Sequence, residues 1–163
     1  MSFVKEWDIV IIGGGASGLG IALDAISRGY KTLLVDQADF AKGTSSRSTK
    51  LVHGGVRYLA QGDVQMVRAA SIERGLLHRN APHLVKDQTF IVPVYSLWSR
   101  IKYSVGLKIY DRISGKMSLG RSVFISAKET LEKLPGIKAE GLKGGVLYYD
   151  GQFDDARLAL NLA

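Results

Sequence analysis

Two short apolar runs flank a stretch with helical periodicity at the start of this chain. Trp7-Asp8-Ile9-Val10-Ile11-Ile12 is apolar, β-branched from Ile9 onward and ends in glycines, so it reads as a buried parallel strand. From Ser17 to Arg28, Ile21, Ala22, Ala25 and Ile26 recur at i, i+1, i+4 and i+5, which is one helix face. Gly29 follows where a left-handed cap closes such a helix. Thr32-Leu33-Leu34-Val35 is the second run and stops at Asp36. Strand, glycine turn, helix and strand in that order make a βαβ unit with a right-handed crossover. Residues 37–57 are polar, rich in Gly and Ser, and irregular. A helix is expected over 63–80, with Val64, Val67, Ile72 and Leu76 on one face. Ala81-Pro82 ends it, because the residue before proline avoids helical angles. Thr89 to Val94 reads as a strand, 97–113 as a helix and Lys128 to Leu134 as a short helix closed by Pro135-Gly136. Gly145 to Tyr149 reads as a further strand, and Asp154 opens a last helix. Leu158, Leu160 and Leu162 carry that pattern to the final residues, so the chain reads as truncated.

The 163 residues are about one average domain. A 46% hydrophobic content excludes a disordered chain. No apolar stretch approaches the roughly 20 residues of a membrane-spanning helix. The absence of cysteine removes disulfides, thiolate metal sites, thiol nucleophiles and Fe–S clusters together. Met1 is not followed by a basic segment and an apolar core of the secretory kind, so a reducing, cytosol-facing location fits. Lys plus Arg number 22 against 15 Asp plus Glu, a formal charge of +7. With a pI near 9.7, this balance attracts anions without telling a nucleic acid from a phosphorylated metabolite or a lipid surface.

Chemistry concentrates first at Gly13, Gly15 and Gly18, which satisfy G-x-G-x-x-G. The first glycine permits the tight turn, the second lets a pyrophosphate approach the backbone, and the third lets helix and strand pack closely. The helix N-terminus behind them offers N–H groups and about half a positive charge. Asp36 ends the second strand, where a carboxylate accepts hydrogen bonds from the adenosine ribose and disfavours a 2′-phosphate. Strand, turn, helix, strand and acid all stand where the fingerprint requires. The fingerprint alone does not separate FAD from NAD.

The next segment is more specific. Thr44-Ser45-Ser46-Arg47-Ser48-Thr49-Lys50-Leu51-Val52-His53-Gly54-Gly55-Val56-Arg57-Tyr58-Leu59 has five hydroxyls from Thr and Ser. Counting Lys42, it carries four cations and no acid before Tyr58. Such a loop suits wrapping a phosphorylated cofactor and presenting cations to an anionic substrate. Together with Asp8 to Gly18, Ala81-Pro82-His83-Leu84, Tyr148-Tyr149-Asp150 and Asp154-Asp155-Ala156-Arg157-Leu158, it resembles the FAD-dependent glycerol-3-phosphate dehydrogenases over essentially the whole chain. One departure is Asp36, where flavoenzymes of this broader class more often have Glu.

The resemblance implies an α/β, Rossmann-like FAD-binding fold of the glutathione-reductase and glycine-oxidase type. It also implies part of a second, substrate-covering α+β domain. Residues 1–87 and 147–163 would belong to the FAD-binding domain and 88–146 to the other. It implies oxidation of sn-glycerol 3-phosphate to dihydroxyacetone phosphate, hydride passing from C2 to flavin N5 and electrons onward to membrane quinone. Gly13, Gly15, Gly18 and Asp36 would hold the ADP half of FAD. Ser45, Ser46, Lys50, Leu51 and His53 would lie beside the pyrophosphate, ribityl chain or ring, and Arg57 and Tyr58 would face the substrate; the alternatives are a packed or backbone-bonded imidazole for His53 and a surface ion pair for Arg57. No residue is assigned as the general base. The family is several-fold longer than this chain, which alone is expected to bind FAD poorly and to catalyse nothing. A location on the inner face of the cell membrane follows; no nucleic-acid partner is expected, and a homodimer is left open. Two rivals are an oxidase that returns electrons to oxygen and a nicotinamide-binding module without flavin.

Trp98, Ile101, Val105, Ile109 and Ile113 form a stripe on the 97–113 helix. Arg100, Lys102, Lys108, Arg112 and Lys116 surround it against a single Asp111. This suits a helix lying in anionic headgroups, or equally a core-packed helix; Tyr103, Leu107 and Tyr110 on the other side favour burial between neighbours. A third rival, a lipid-binding accessory chain without catalysis, rests on this stripe. His78 and His83 lack acidic or imidazole neighbours at ligand spacing, so no metal is expected. Asp154 or Asp155 reads as the cap of the last helix.

Overall fold

The computed structural model describes residues 6–59 and 61–163, without the side chains of Arg57 and Lys116. The chain divides into two compact units, residues 1–50 with 153–163 and residues 51–152.

The first unit is built on the βαβ motif. β1 (Ile9–Ile12) pairs in parallel with β2 (Thr32–Val35), Ile9 opposite Thr32 and Ile12 opposite Val35. α1 (Ala16–Ser27) connects them, and Gly29 leaves it with φ +88, the left-handed geometry expected of its cap. The last helix of the chain, Asp155–Leu162, begins at Asp154, whose side chain accepts from the Arg157 amide. Leu19, Ala41 and Ala159 are buried together, with Leu34 and Leu162 against them. The expected fully buried strand is corrected here: Ile11 is buried, whereas Val10 is 55% and Ile12 86% exposed. Ala22 and Ala25 are buried, but Ile21 and Ile26 face outward. Two strands and two helices are too few to cover both faces of a parallel sheet.

The second unit mixes helices with an antiparallel-rich sheet. After the two-residue β3 (Leu51–Val52) come α2 (Val56–Leu59), α3 (Val64–Asn80), β4 (Val85–Val94) and α4 (Leu97–Ser114). β5 (Val123–Ile125), α5 (Ala127–Lys133) and β6 (Gly144–Phe153) follow, and α6 names the helix Asp155–Leu162 already described. β6 lies between β3 and β4 and also pairs with β5; its pairings with β3 and β5 are antiparallel. Asp63 caps α3 by accepting from the Met66 amide, and Ser96 caps α4 by accepting from Ser99. Val94, Leu107 and Val146 form the centre of the core.

α3 buries a different face from the one expected, whereas α4 buries the side on which Leu107 and Tyr110 favoured burial. On α3 the inward residues are Val67, Ser71 and Arg74, while Val64, Ile72 and Leu76 are exposed. The helix turns toward polar partners, because Arg74 and Ser71 find hydrogen-bonding groups there. On α4 the inward residues are Leu107, Tyr110 and Ser114. Trp98 is 82% exposed, and Ile101, Val105 and Ile109 are also exposed. The helix had two apolar sides, and the one carrying Tyr110 packs. Among the described residues, no helix is long and apolar enough to cross a membrane.

Candidate functional site

The glycine turn fixes the geometry from which the rest is built. Gly13 has φ +108, which only glycine adopts without strain, and its N–H donates to the Val35 carbonyl at 2.8 Å. A side chain at Gly18 would collide with the Gly13 carbonyl oxygen and press on Ile11, so α1 sits hard against the turn. Gly15 is the extended N-cap of α1, and the first turn of that helix holds no acidic residue. Its amides therefore present positive charge with nothing on the helix to cancel it.

The hydroxyl-rich loop comes back to this point. Thr44–Ser46 is a single 3₁₀ turn, and Ser45 Oγ accepts the Ala16 N–H at 2.9 Å. The glycine turn and the start of the cationic loop thus share one groove. That groove, about 550 Å³, is lined by residues including Gly15, Asp36, Lys42, Thr44 and Ser45. Asp36 Oδ2 accepts from the Gly14 amide at 2.7 Å and Oδ1 from the Ala38 amide at 2.9 Å. The Gly14 bond, then the Ala38 bond and the Lys42 charge, hold the Asp36 carboxyl below its usual value. The aspartate is ionised and exposed beside the turn, with lone pairs to spare. A polar hydroxyl over a helix N-terminus, a bare backbone and a carboxylate at the far rim fit the pyrophosphate and ribose of a dinucleotide.

Lys50 has φ +59, and its ammonium is held by Asp155 and by the Ser46 carbonyl. Ser48 donates to Asp155 through both its amide and its hydroxyl. The buried Asp155 carboxyl is driven far below the carboxylate range, first by Lys50 and then by Ser48. Of the two acids expected to cap the last helix, Asp154 does so and Asp155 instead anchors the loop. The doubled acid was the available signal, since one carboxylate suffices for a cap.

Leu51 lies in β3 opposite Gln152. His53 is exposed, and its Nδ1 accepts the Gly55 N–H at 3.2 Å, so the neutral ring carries its proton on Nε2. Tyr58 is exposed on α2, and the side chain of Arg57 lies outside the described residues. His78 does have an acidic neighbour, Asp87 at 3.3 Å. Among the described residues, no group of three or more His, Asp or Glu could hold a metal ion.

Sequence reasoning missed a buried polar cluster in the second unit. Arg74 Nη1 donates to Asp150 Oδ1 and to the Tyr110 hydroxyl, each at 2.8 Å. Asp150 Oδ1 also accepts the Gly54 amide at 3.0 Å. The side chains of Arg74 and Asp150 are 1% and 3% exposed. Asp150 belonged to a recognised motif, but nothing in the spacing paired it with an arginine on α3.

Residues 8–163 match the family described as DAO, FAD dependent oxidoreductase. A probable mitochondrial glycerol-3-phosphate dehydrogenase of Caenorhabditis elegans is 49% identical over 163 residues, covering 96% of this chain and 23% of the relative. The aerobic glycerol-3-phosphate dehydrogenase of Staphylococcus saprophyticus is 49% identical over 160 residues, covering 97% and 29%. The structure of glycerol-3-phosphate dehydrogenase from Bacillus halodurans complexed with FAD gives a TM-score of 0.65 at 38% identity, over 98% of this chain and 24% of that one. The chain spans about a quarter of the length of the curated relatives it matches.

Proposed function

The chain belongs to the FAD-dependent oxidoreductase family, and we propose that it forms the nucleotide-holding part of an enzyme oxidising sn-glycerol 3-phosphate to dihydroxyacetone phosphate. Its fold is the Rossmann-like FAD-binding type. One observation carries the reading: the Ser45 hydroxyl on the Ala16 amide holds the hydroxyl-rich loop against the glycine turn.

On this reading the pyrophosphate lies over the start of α1, where Gly13, Gly15 and Gly18 leave the backbone bare. Ser45 and Ser46 offer it hydroxyls, and Asp36 accepts the ribose hydroxyls. Lys50, bonded to Asp155, holds the shape of the loop and contributes positive field. Leu51 and His53 are assigned to the pyrophosphate, ribityl chain or ring of the cofactor, and Arg57 and Tyr58 to the substrate, from the resemblance of their motif. An arginine fork suits phosphate because it bonds oxygens in pairs and stays charged at any relevant pH. FAD, when bound, supplies the two-electron oxidant for the C2–H bond. The hydroxyl proton goes to a base that none of these residues is assigned to be. Residues 1–87 and 147–163 are assigned to the FAD-binding domain and 88–146 to the substrate-covering one.

Quinone as acceptor and a place on the inner membrane face belong to the same proposal. The exposed Trp98, Ile101, Val105 and Ile109 beside Arg100, Lys102, Lys108 and Arg112 support contact with a membrane surface. The visible absorbance of the full-length protein tests the core reading. A flavin band that bleaches on adding glycerol 3-phosphate is expected, and a colourless protein overturns it. Oxygen uptake in the same assay would assign the activity to an oxidase instead.

A further inference from the structure

Three elements of the second unit converge on one backbone amide. Arg74 comes from α3, Tyr110 from α4 and Asp150 from β6, and all three are buried. Asp150 Oδ1 accepts from Arg74 Nη1 at 2.8 Å, from the Gly54 amide at 3.0 Å and from the Gly151 amide at 3.1 Å. Tyr110 accepts from Arg74 at 2.8 Å and donates to Asp150 Oδ2 at 3.3 Å. Arg74 Nη2 donates to the Met117 carbonyl at 2.8 Å, and its Nε is buried without a partner. Ser71 and Ser114 close the rim with a 3.0 Å hydroxyl pair.

Gly54 is pressed against this cluster. A side chain there would collide with the Tyr110 hydroxyl, and would lie 2.8 Å from Ser71 Oγ and 3.0 Å from Arg74 Nη1. Gly55 then turns at φ +77 and donates to His53 Nδ1. The orientation of the imidazole, with Nε2–H outward, therefore depends on where Gly54 is held. A buried ion pair is poor evidence of a stability role, since apolar residues of like volume often serve as well. Here every member of the pair also touches, or directly supports, the same turn.

We infer that Arg74, Tyr110 and Asp150 are positioning residues that lock the His53-Gly54-Gly55 turn, and through it the direction of the Nε2–H of His53, a residue assigned above to the cofactor. This rests on the cofactor reading above. Burial pushes the Tyr110 phenol up, so it remains a donor throughout the working pH range.

The test uses the full-length protein as wild type, Tyr110→Phe, Asp150→Asn and Asp111→Asn. The last replaces one of the two carboxylate oxygens that accept from the Ser122 amide and hydroxyl, in the same unit but away from the turn. Tyr110→Phe removes one hydroxyl and carries the test if Asp150→Asn fails to fold. Hydrogen exchange at Gly54 and Gly55, FAD dissociation constants and visible circular dichroism of the bound flavin are measured below the melting range of every variant. The expected result is faster exchange at the two glycines, FAD binding weakened about tenfold and an altered flavin signal in Tyr110→Phe. Asp111→Asn should melt earlier with all three readings unchanged. If Tyr110→Phe keeps wild-type exchange, affinity and flavin signal, the inference is overturned. A wild-type protein that takes up no FAD overturns the cofactor reading instead, and with it the assignment of His53 to the cofactor.

Discussion

Two glycines two residues apart on α1 give opposite outcomes for the same substitution. A Cβ at Gly18 runs into the Gly13 carbonyl oxygen, whereas a Cβ at Gly20 meets nothing within 4 Å outside the helix itself. Gly→Ala inside a helix gains about 1 kcal/mol from propensity, at either position. That common gain cancels in the difference between the two variants, which isolates the collision. The obstacle at Gly18 is backbone rather than a flexible side chain, so helix and turn must separate by on the order of 1 Å to reach ordinary contact. Overpacking of this kind costs about 1–3 kcal/mol. Gly20→Ala should therefore raise the melting temperature of the full-length protein slightly. Gly18→Ala should lie below it by about 2–4 °C per kcal/mol, on the scale of a mid-sized domain. Gly18→Ala should also lose FAD affinity, because the displaced turn is the one assigned to the pyrophosphate. Differential scanning calorimetry with and without FAD gives both answers. Equal melting temperatures for the two variants would refute the close packing of α1 on the turn.

Asp155 makes folding acid-sensitive. Its partners favour the ionised form, so its stabilisation is full above the ordinary carboxylate range near 4 and drains away as pH falls toward its depressed value. The gap in urea midpoint between wild type and Asp155→Asn should be widest at pH 7 and narrow below about pH 4; a constant gap would rule this out. Arg57→Ala should lower kcat/KM for glycerol 3-phosphate by about 10- to 150-fold, the equivalent of a lost charged hydrogen bond of 1.5–3 kcal/mol, with flavin content unchanged. Undiminished activity would remove Arg57 from the phosphate site. Trp98→Ala with Arg100→Ala should release the full-length protein from anionic vesicles in a sedimentation assay. Co-sedimentation at the wild-type level would clear α4 of lipid contact.

The βαβ motif was legible because each of its signals is local. The β-branched runs, the glycine spacing, Gly29 as cap and Asp36 at the strand end all act within a few residues. The positions of the longer helices were equally legible, but the short α2 was not expected, nor was the face that α3 buries. Both sides of α4 are apolar, and the choice of Leu107 and Tyr110 over Trp98 and Val105 depends on partners on α3 and β6. On α3 the buried face includes Ser71 and Arg74, which a hydrophobicity count places outside. Those groups tolerate burial only because Ser114, Tyr110 and Asp150 meet them. Lys50 with Asp155 and Arg74 with Asp150 join residues 105 and 76 positions apart, and such pairs leave no periodic trace. The loop could be identified by its composition, whereas what clamps it could not.

The uncovered sheet of the first unit carries a practical consequence. β1 pairs only with β2 among the described residues, and its Val10 and Ile12 side chains stand in solvent. An edge of that kind is a template for intermolecular strand addition. Produced by itself, this stretch should self-associate and gather in inclusion bodies. Co-refolding with a polypeptide that can dock along β1 should return it to monodisperse solution, so colloidal behaviour becomes a simple assay for whatever completes the sheet.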